Sequence, residues 1–573
     1  MCEAGCESGV KQQGACQLLP ATDRVASRAS VLEEGASGRG GDDGMREKQG
    51  DGWLLCWFLH RHFQFRLPEI SALRRVEKMK SMSVYSDATV DVDKVSNVQG
   101  VGEGEDVSSW LVPIAGVSQS PFWMVRLNDM EAKAICSRAR LIKGMYRIFA
   151  KAGSLDELVE QVKMCDQEKD AFRQFRKCDG QCGECPESVS GQFTSRSWKM
   201  NVSAFGRSIH RQEQFQIMSR FSFLNFHGPV KMDNPENSFY IIQDNSDANE
   251  STLPGCGKES WFFCIEVAST DRSVASSMNL SKRLFIGPTS MDPDMSFIMC
   301  NHAGIRRGSF VFDPFVGTGS ILVSAAHLGA VTVGMDIDIR MLLSKDTGGK
   351  PKKFDMWDNF QEYGLQEPVG LIRGDVSMPS LRENVGNCNA SCAGGYFDAI
   401  ICDPPYGVRA GGRKSGGRRK DSDGNLPYVI DPEQRDSHIP STKPYPIGEC
   451  FLDLLDLAAR HLIVGGRLVF FLPCSQAMYN EEDDVPSHPM LKVISNCEQI
   501  LSKYHSRRLI TMEKIVDYDC DVAIMYRKKH ESAISQRLEK HAEDLTMHSK
   551  QKKDKGDNSG TPRSYPGFRN KNF

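Results

Sequence analysis

The stretch Ser309-Phe-Val-Phe-Asp-Pro-Phe-Val-Gly-Thr-Gly-Ser320 constrains this chain more than any other. It begins aromatic and β-branched, and it ends by opening an apolar run with helical spacing that continues to Leu328. Gly317 and Gly319 join the two halves, at positions where the backbone must turn sharply and a Cβ would resist it. The pattern predicts a buried strand, a tight turn and a helix, the unit from which parallel, doubly wound sheets are built. From about residue 275 the same alternation recurs. Strands are expected at 331–335, 369–373, 397–402 and 466–472, and helices at 320–328 and 450–462. In the second helix Leu452, Leu455, Ala459 and Leu462 share one face. Two closing runs, 508–515 and 520–526, read as a terminal pair of strands.

Upstream the pattern is α+β. Residues 53–65 form a β-prone run, and Pro68 with Glu69 marks a helix start. A strand is expected at 121–127, followed by a helix carrying Ala132, Ile135, Ala139 and Ile142. A second module has strands at 198–205, 238–243 and 261–267 and a helix at 212–219. Insertions are expected at 81–109, 176–196 and 244–258. The division is therefore a disordered extension 1–50, modules 51–150 and 151–272, an α/β domain 273–527 and a basic, disordered tail 528–573.

Bulk composition narrows the function classes. With 573 residues the chain is long enough for several domains. The net charge of −3 excludes a global basic field, so any nucleic-acid contact must come from local patches. Nineteen scattered cysteines read as reduced intracellular thiols, which excludes secretion without separating cytoplasm from nucleus; a cytoplasmic location is the expectation. No run approaches the roughly 18 apolar residues of a membrane span.

Two motifs carry chemistry. The glycine turn follows Asp313, and Asp336 comes twenty-three positions later, after the next strand. An acid there accepts hydrogen bonds from ribose hydroxyls, and Asp375 after the third strand is placed for an adenine amine. The short Gly-Thr-Gly lacks the glycine run of a dinucleotide site, which favours S-adenosylmethionine over a nicotinamide. The second motif, Asp403-Pro-Pro-Tyr406, follows the fourth strand. The carboxylate of Asp403 and the carbonyl of Pro404 can each accept one N–H of an exocyclic amine, pulling its nitrogen toward tetrahedral geometry. Pro405 helps fix the carbonyl's direction, because both prolines have a locked φ and no N–H. Tyr406 can stack on an extruded base. These residues imply a methyl transfer to a nucleobase amine. They leave open guanine or adenine, in tRNA, another RNA or DNA, and also a catalytically silent RNA-binding homologue.

Further stretches carry a resemblance: Lys282-Arg-Leu-Phe-Ile-Gly-Pro-Thr-Ser-Met-Asp292, Asp398-Ala-Ile-Ile-Cys-Asp-Pro-Pro-Tyr-Gly407, Ser506-Arg-Arg-Leu-Ile-Thr-Met-Glu-Lys514, Phe65-Arg-Leu-Pro-Glu-Ile70 and Phe226-His-Gly-Pro-Val-Lys-Met-Asp-Asn-Pro-Glu236. With the glycine turn, they resemble the eukaryotic tRNA (guanine-10-N2)-methyltransferase catalytic subunits across most of 53–526. The resemblance implies a Rossmann-like class I methyltransferase domain, with a mostly parallel sheet and a terminal antiparallel pair. Ahead of it would lie a ferredoxin-like domain and a tRNA-gripping THUMP domain. It implies S-adenosylmethionine as cofactor, tRNA as substrate, and a heterodimer with a small zinc-binding activator subunit, with no metal in this chain. Residue by residue, the cofactor would be held by Asp313, Phe315, Gly317, Thr318, Gly319, Asp336, Ile337, Asp375 and Val376. Thr289 and Ser290, in the segment 287–292, would close over its methionine end. The guanine would be held by Asp403, Pro404, Pro405 and Tyr406.

Lys199, Arg207 and Arg211, and the Arg409 and Arg413 of a glycine- and arginine-rich stretch behind the clamp, are candidate phosphate contacts. Arg507 and Arg508 read equally as RNA contacts or as partners of acids. Cys178, Cys182 and Cys185 have the spacing of an iron–sulfur motif, but Glu184 and the polar surroundings favour incidental thiols.

Overall fold

The computed structural model describes residues 52–86, 110–113, 120–169, 196–226, 228–245, 260–287, 290–342, 353–379, 381–382, 395–405, 412–416 and 441–554. The three cysteines at 178–185 and the expected extension at 1–50 lie outside them.

The N-terminal half is built on one sheet of seven strands: β1 (Trp53–Phe58), β2 (Leu111–Pro113), β3 (Phe122–Arg126), β4 (Ile142–Ala152), β5 (Trp198–Phe205), β6 (Asn237–Asp244) and β7 (Ser260–Ser269), in the order β2-β3-β1-β4-β7-β6-β5. Helices α1 (Phe63–Ser86), α2 (Asp129–Cys136), α3 (Leu155–Lys169) and α4 (Arg211–Ser219) accompany it. Residue 150, the expected module boundary, lies inside β4. That strand pairs with β1 on one side and β7 on the other, so both modules share the sheet. Sequence reading missed β4 because Met145 and Phe149 share the parity of Lys143, Arg147 and Lys151 while Gly144 falls on the other, so its alternation is blurred. It also placed Ile142 on a helix, whereas α2 ends at Cys136 and Ile142 opens β4. Helix α1 begins five residues before Pro68, which sits in its second turn. Six residues of the expected insertion, 81–86, belong to α1.

The C-terminal half is a second seven-stranded sheet. Its strands are β8 (Phe310–Asp313), β9 (Val331–Asp336), β10 (Gly370–Arg373), β11 (Phe397–Cys402), β14 (Leu462–Ser475), β15 (Leu491–Ile500) and β16 (His505–Lys514). A two-stranded ribbon, β12 (Arg413–Ser415) with β13 (Thr442–Pro444), stands apart from it. The order is β10-β9-β8-β11-β14-β16-β15; the first five run parallel and β16 antiparallel to both neighbours. Period-2 alternation divides its core. Ile400, Leu468, Phe470 and Leu472 pack toward α8 (Ile447–His461). Ala399, Ile401, Val469 and Phe471 pack toward α5 (Pro293–His302) and α6 (Ser320–His327), in a cluster that includes Phe65 and Leu141 from the N-terminal half. Helix α7 (Met356–Glu362) packs through Met356 and Phe360 against Leu322 and Val323 of α6. Parallel strands need both faces covered, and these helices cover them.

The terminal pair of strands is β15 with β16, not 508–515 with 520–526. Residues 520–526 instead open a 35-residue helix, α9 (Cys520–Asp554). The alternation of Val522 and Ile524 imitates a strand, yet both are exposed and the intervening Ala523 is buried. The tail from 528 to 554 is therefore helical rather than a solvated arm. Leu538 and Leu545 are buried, and charged residues between them hid the apolar stripe.

Candidate active site

Asp313 ends β8 buried, with Oδ1 accepting the Phe315 amide at 3.0 Å. The chain then turns through Gly317 and Gly319, whose φ values of 49° and 76° lie in the left-handed region. A Cβ on Gly319 would fall 2.7 Å from the Met356 sulfur of α7. The turn is also tied to the next strand. Asp336, at the end of β9, accepts the Gly317 amide on Oδ2 at 3.0 Å and the Asp338 amide on Oδ1 at 2.8 Å. A carboxylate oxygen accepts two hydrogen bonds, so each keeps capacity for a ribose hydroxyl.

The segment before α5 closes onto this turn. The Gly287 amide donates to Ser290 Oγ at 2.9 Å, and Ser290 Oγ lies 2.7 Å from Thr318 Oγ1. Ser320 Oγ accepts from Arg283 Nη1 at 2.8 Å and from the Met291 amide at 3.2 Å. Asn359 of α7 both accepts from the amide of Phe285 and donates to its carbonyl, each at 2.9 Å. Sequence reading missed Asn359, Met356 and Arg283, since a lone amide, thioether or guanidinium carries no periodic signal. Thr289 lies outside the described residues.

At the end of β10, Asp375 accepts from the Ser377 amide and hydroxyl on Oδ1, at 2.9 and 2.8 Å, and from the Ser415 amide on Oδ2 at 2.5 Å. Burial pushes its carboxyl up, but the hydrogen bonds from Ser415 and Ser377 outweigh this and hold it below its ordinary value. The acid assigned to the adenine amine is thus also the seat of the β12–β13 ribbon. Val376, beside it, is buried; Ile337, beyond Asp336, and Phe315 are half-buried.

Strand β11 lies between β8 and β14, with Ile400 opposite Phe312, so Asp313 and Asp403 emerge side by side at the carboxyl edge. Open α/β sheets hold their ligands there. Pro404 is buried and Pro405 half-buried, and a Cβ on Gly412 would come 3.4 Å from the Pro405 carbonyl oxygen. Arg507 of β16 donates from Nη1 to Asp403 Oδ2 at 3.2 Å. This decides the open reading of Arg507 in favour of an acid partner. Burial pushes Asp313 well above the usual carboxylate range; the Phe315 hydrogen bond opposes this, and the charges of Asp336 and Asp403 add to it. Burial likewise raises Asp336. Such a cluster of acids favours a cationic guest. Tyr406 lies outside the described residues.

The candidate phosphate contacts are largely engaged within the chain. Lys199 Nζ donates to the Met232 carbonyl at 3.4 Å, and Arg207 reaches Gln243 at 2.6 Å and Glu213 at 2.7 Å. Arg413 donates to the hydroxyl and carbonyl of Thr442, at 2.5 and 2.8 Å, and Arg211 lies 5.7 Å from the Phe215 ring centroid. Arg409 falls outside the described residues. Among the described residues no cluster of metal-ligating side chains occurs, and no helix is long and apolar enough to cross a membrane.

A parallel sheet closed by an antiparallel β16, a glycine turn tied to an acid on the next strand, and Asp-Pro-Pro at the end of β11 together define a Rossmann-like methyltransferase domain. Family models agree: one described as "RMKL-like, methyltransferase domain" matches residues 281–348, and one described as "Tmrp11 THUMP N-terminal domain" matches 95–262. The chain belongs to the TRMT11 family of tRNA (guanine(10)-N(2))-methyltransferases. It is 33% identical to the Mus musculus member over 478 residues, 81% of this chain and 88% of that one. To the Dictyostelium discoideum member it is 34% identical over 415 residues, 70% and 74% of the two chains. Among solved structures, TrmN from Thermus thermophilus matches 81% of this chain and 100% of its own at 13% identity, with a TM-score of 0.35.

Proposed function

We propose that this protein transfers the methyl group of S-adenosylmethionine to the exocyclic N2 amine of the guanine at position 10 of tRNA. The observation that carries the reading is the placement of Asp403-Pro404-Pro405 beside Asp313 and the glycine turn, at one edge of one sheet. The turn residues 315–319, Asp336 with Ile337, Asp375 with Val376, and Thr289 with Ser290 would hold the cofactor, which supplies an electrophilic methyl group carried on a sulfonium. The acids of the pocket suit that positive charge.

Asp403 and the Pro404 carbonyl each accept one N–H of the amine. They draw the nitrogen toward tetrahedral geometry and direct its lone pair at the methyl carbon. As the nitrogen gains its bond to the methyl carbon, that carbon's bond to sulfur would break and the cofactor would leave as a neutral thioether, the nitrogen then shedding one proton to solvent. Tyr406 stacks on the extruded base.

Several finer readings stand with this proposal. The THUMP-containing half grips the tRNA, with Lys199, Arg207, Arg211, Arg409 and Arg413 near phosphate. A small zinc-binding activator binds the catalytic domain as a heterodimer. The β10 edge supports such a partner: among the described residues β10 pairs only with β9, and Val369 and Met378 beside it are exposed. The protein would act in the cytoplasm, with the two modules of 51–272 on their shared sheet ahead of the catalytic domain 273–527.

The test is to incubate the chain, with and without the activator, with isotope-labelled cofactor and total tRNA, and then to digest the tRNA to nucleosides. Label in N2-methylguanosine, lost when the guanine at position 10 is replaced, supports the proposal. Label in methyladenine, or none, overturns it.

A further inference from the structure

We infer that Arg507 is the positioning residue of the amine clamp: it fixes the orientation and charge of the Asp403 carboxylate. The inference deepens the reading above and rests on it.

The observation is a guanidinium held on three sides. Arg507 lies on β16 opposite Pro473 of β14 and Gln499 of β15. Its guanidinium carbon is 3.7 Å from the centroid of the Phe471 ring, itself fully buried. Nε donates to Gln499 Oε1 at 2.7 Å, and Nη1 donates to Asp403 Oδ2 at 3.2 Å. The side chain is only 13% exposed. A planar, permanently charged fork stacked on an aromatic face loses little freedom when it grips a carboxylate, so it sets the carboxylate's plane as well as its charge.

That plane matters for this chemistry. An amine whose lone pair is spread into a ring must be met by an acceptor in one direction only. The neighbouring carbonyl is already fixed, because two prolines lock it. Asp403 is the movable half of the clamp, and it stands among like charges, since Asp313 feels both Asp336 and Asp403. Arg507 is the opposite charge that meets this carboxylate, and Oδ2 retains a second acceptor site for the amine's N–H while Arg507 holds it.

Arg507 also stands at the junction of the two halves. Beside Gln499, the Glu498 amide donates to Gln64 Oε1 of α1 at 2.7 Å. The neighbouring His62 is half-buried; its partial burial first, then the charges of Arg61 and Arg507, push its pKa down to about 4 against the opposing charge of Asp294. The loop before α1 therefore adds no competing cation from His62 at neutral pH.

The experiment uses the full chain, with its activator if that proves necessary, and a tRNA transcript. Arg507→Ala, Arg507→Lys and Gln499→Leu are compared by single-turnover transfer and by equilibrium binding of cofactor and tRNA. Arg507→Ala is expected to slow transfer at saturating tRNA by about 100-fold, the scale of a reacting group misplaced by about 1 Å. Cofactor and tRNA affinities should stay within about threefold. Arg507→Lys should restore part of the rate by returning the charge without the fork. Gln499→Leu, which keeps the charge and frees Nε, should cost less than Arg507→Ala. Should Arg507→Ala misfold, the Lys and Leu variants make the comparison. A loss of tRNA affinity with transfer unchanged at saturation would make Arg507 an RNA contact and overturn the inference, as would a wild-type rate in Arg507→Ala. If the wild type methylates a different amine, the proposed substrate fails while the Arg507 comparison proceeds on that product. A wild type silent on every nucleic acid overturns both.

Discussion

Asn301 of α5 donates from Nδ2 to Oε1 of Glu69 in α1 at 2.9 Å, and both residues are buried where the two halves of the molecule meet. The same carboxylate accepts the amides of Arg140 at 2.9 Å and Leu141 at 3.0 Å. One acid thus gathers three donors from two other segments and pins the THUMP-containing half to the catalytic half. Glu69→Ala leaves these donors buried without their acceptor, at about 1–3 kcal/mol for each one left unsatisfied. The expected result is a large fall in melting temperature, accompanied by loss of transfer to tRNA. Glu69→Gln replaces one acceptor oxygen by a donor and should rescue only partly. A melting curve unchanged in Glu69→Ala would exclude the role.

Acid should weaken the same junction through His302. Its ring is buried 6.1 Å from the Phe65 ring, with Nδ1 3.3 Å from Thr511 Oγ1. Burial pushes its pKa down to about 3, and the nearby Arg467 adds to this. The unfolded chain takes up a proton near pH 6.5 while the folded one does not, so stability falls as pH drops from about 6.5 toward 3. By pH 5 the loss from this residue is about 2 kcal/mol. Denaturant melts at pH 7 and 5 check it: His302→Leu should show a shallower decline than the parent.

Cofactor and clamp should separate by mutation. Asp403→Ala is expected to remove transfer by about 1,000-fold or more while cofactor affinity stays within about twofold, because the residue serves the amine. Asp336→Ala should instead weaken the cofactor by about 10–100-fold, since it loses the acceptor that also orders the Gly317 amide. Calorimetric titration with the cofactor or its demethylated product distinguishes the two. Near-normal turnover in Asp403→Ala would refute the clamp.

Gly319→Ala tests the turn itself. The new methyl group must occupy a left-handed backbone position and lie 2.7 Å from the Met356 sulfur. We expect about 1–3 kcal/mol of lost stability and a cofactor affinity lowered at least tenfold. Pairing it with Met356→Ala relieves the clash but not the φ strain, so the double variant should recover in part. Full recovery would mean that crowding alone required the glycine.

Most of the catalytic edge was legible because its parts are local. A glycine pair after a strand, an acid at the next strand end and two prolines after another each report their own backbone conformation. What joins those parts was not. Arg507 lies 104 positions from Asp403, and Asn359 lies 74 from Phe285, so neither pairing leaves a trace in spacing. β4 was hidden because Lys143, Arg147 and Lys151 alternate with Met145 and Phe149 along one side of the strand, so that side reads as neither apolar nor polar. Helix α9 was hidden by charge, because buried Leu538 and Leu545 sit among Lys, Glu and Asp side chains.

That last element also makes a prediction. Helix α9 runs back along α8: Arg527 pairs with Asp453 at 2.6 Å, and a Cβ on Gly448 would come 2.3 Å from the Ser535 Cα. Further along, His541 Nε2 reaches Asp484 at 3.0 Å while its Nδ1 accepts the amide of Ser475, the last residue of β14, at 3.2 Å. The helices therefore touch backbone to backbone at Gly448, a contact no side chain can enter without moving α9. Gly448→Val should push α9 off α8 and lower stability by about 1–3 kcal/mol. Because α8 covers the sheet face behind the clamp, the same variant should raise hydrogen exchange in both helices while leaving α5 and α6 protected. Deleting residues 528–573 should reproduce that pattern more strongly. If the truncated chain melts like the parent with α8 still protected, α9 is dispensable to the catalytic domain.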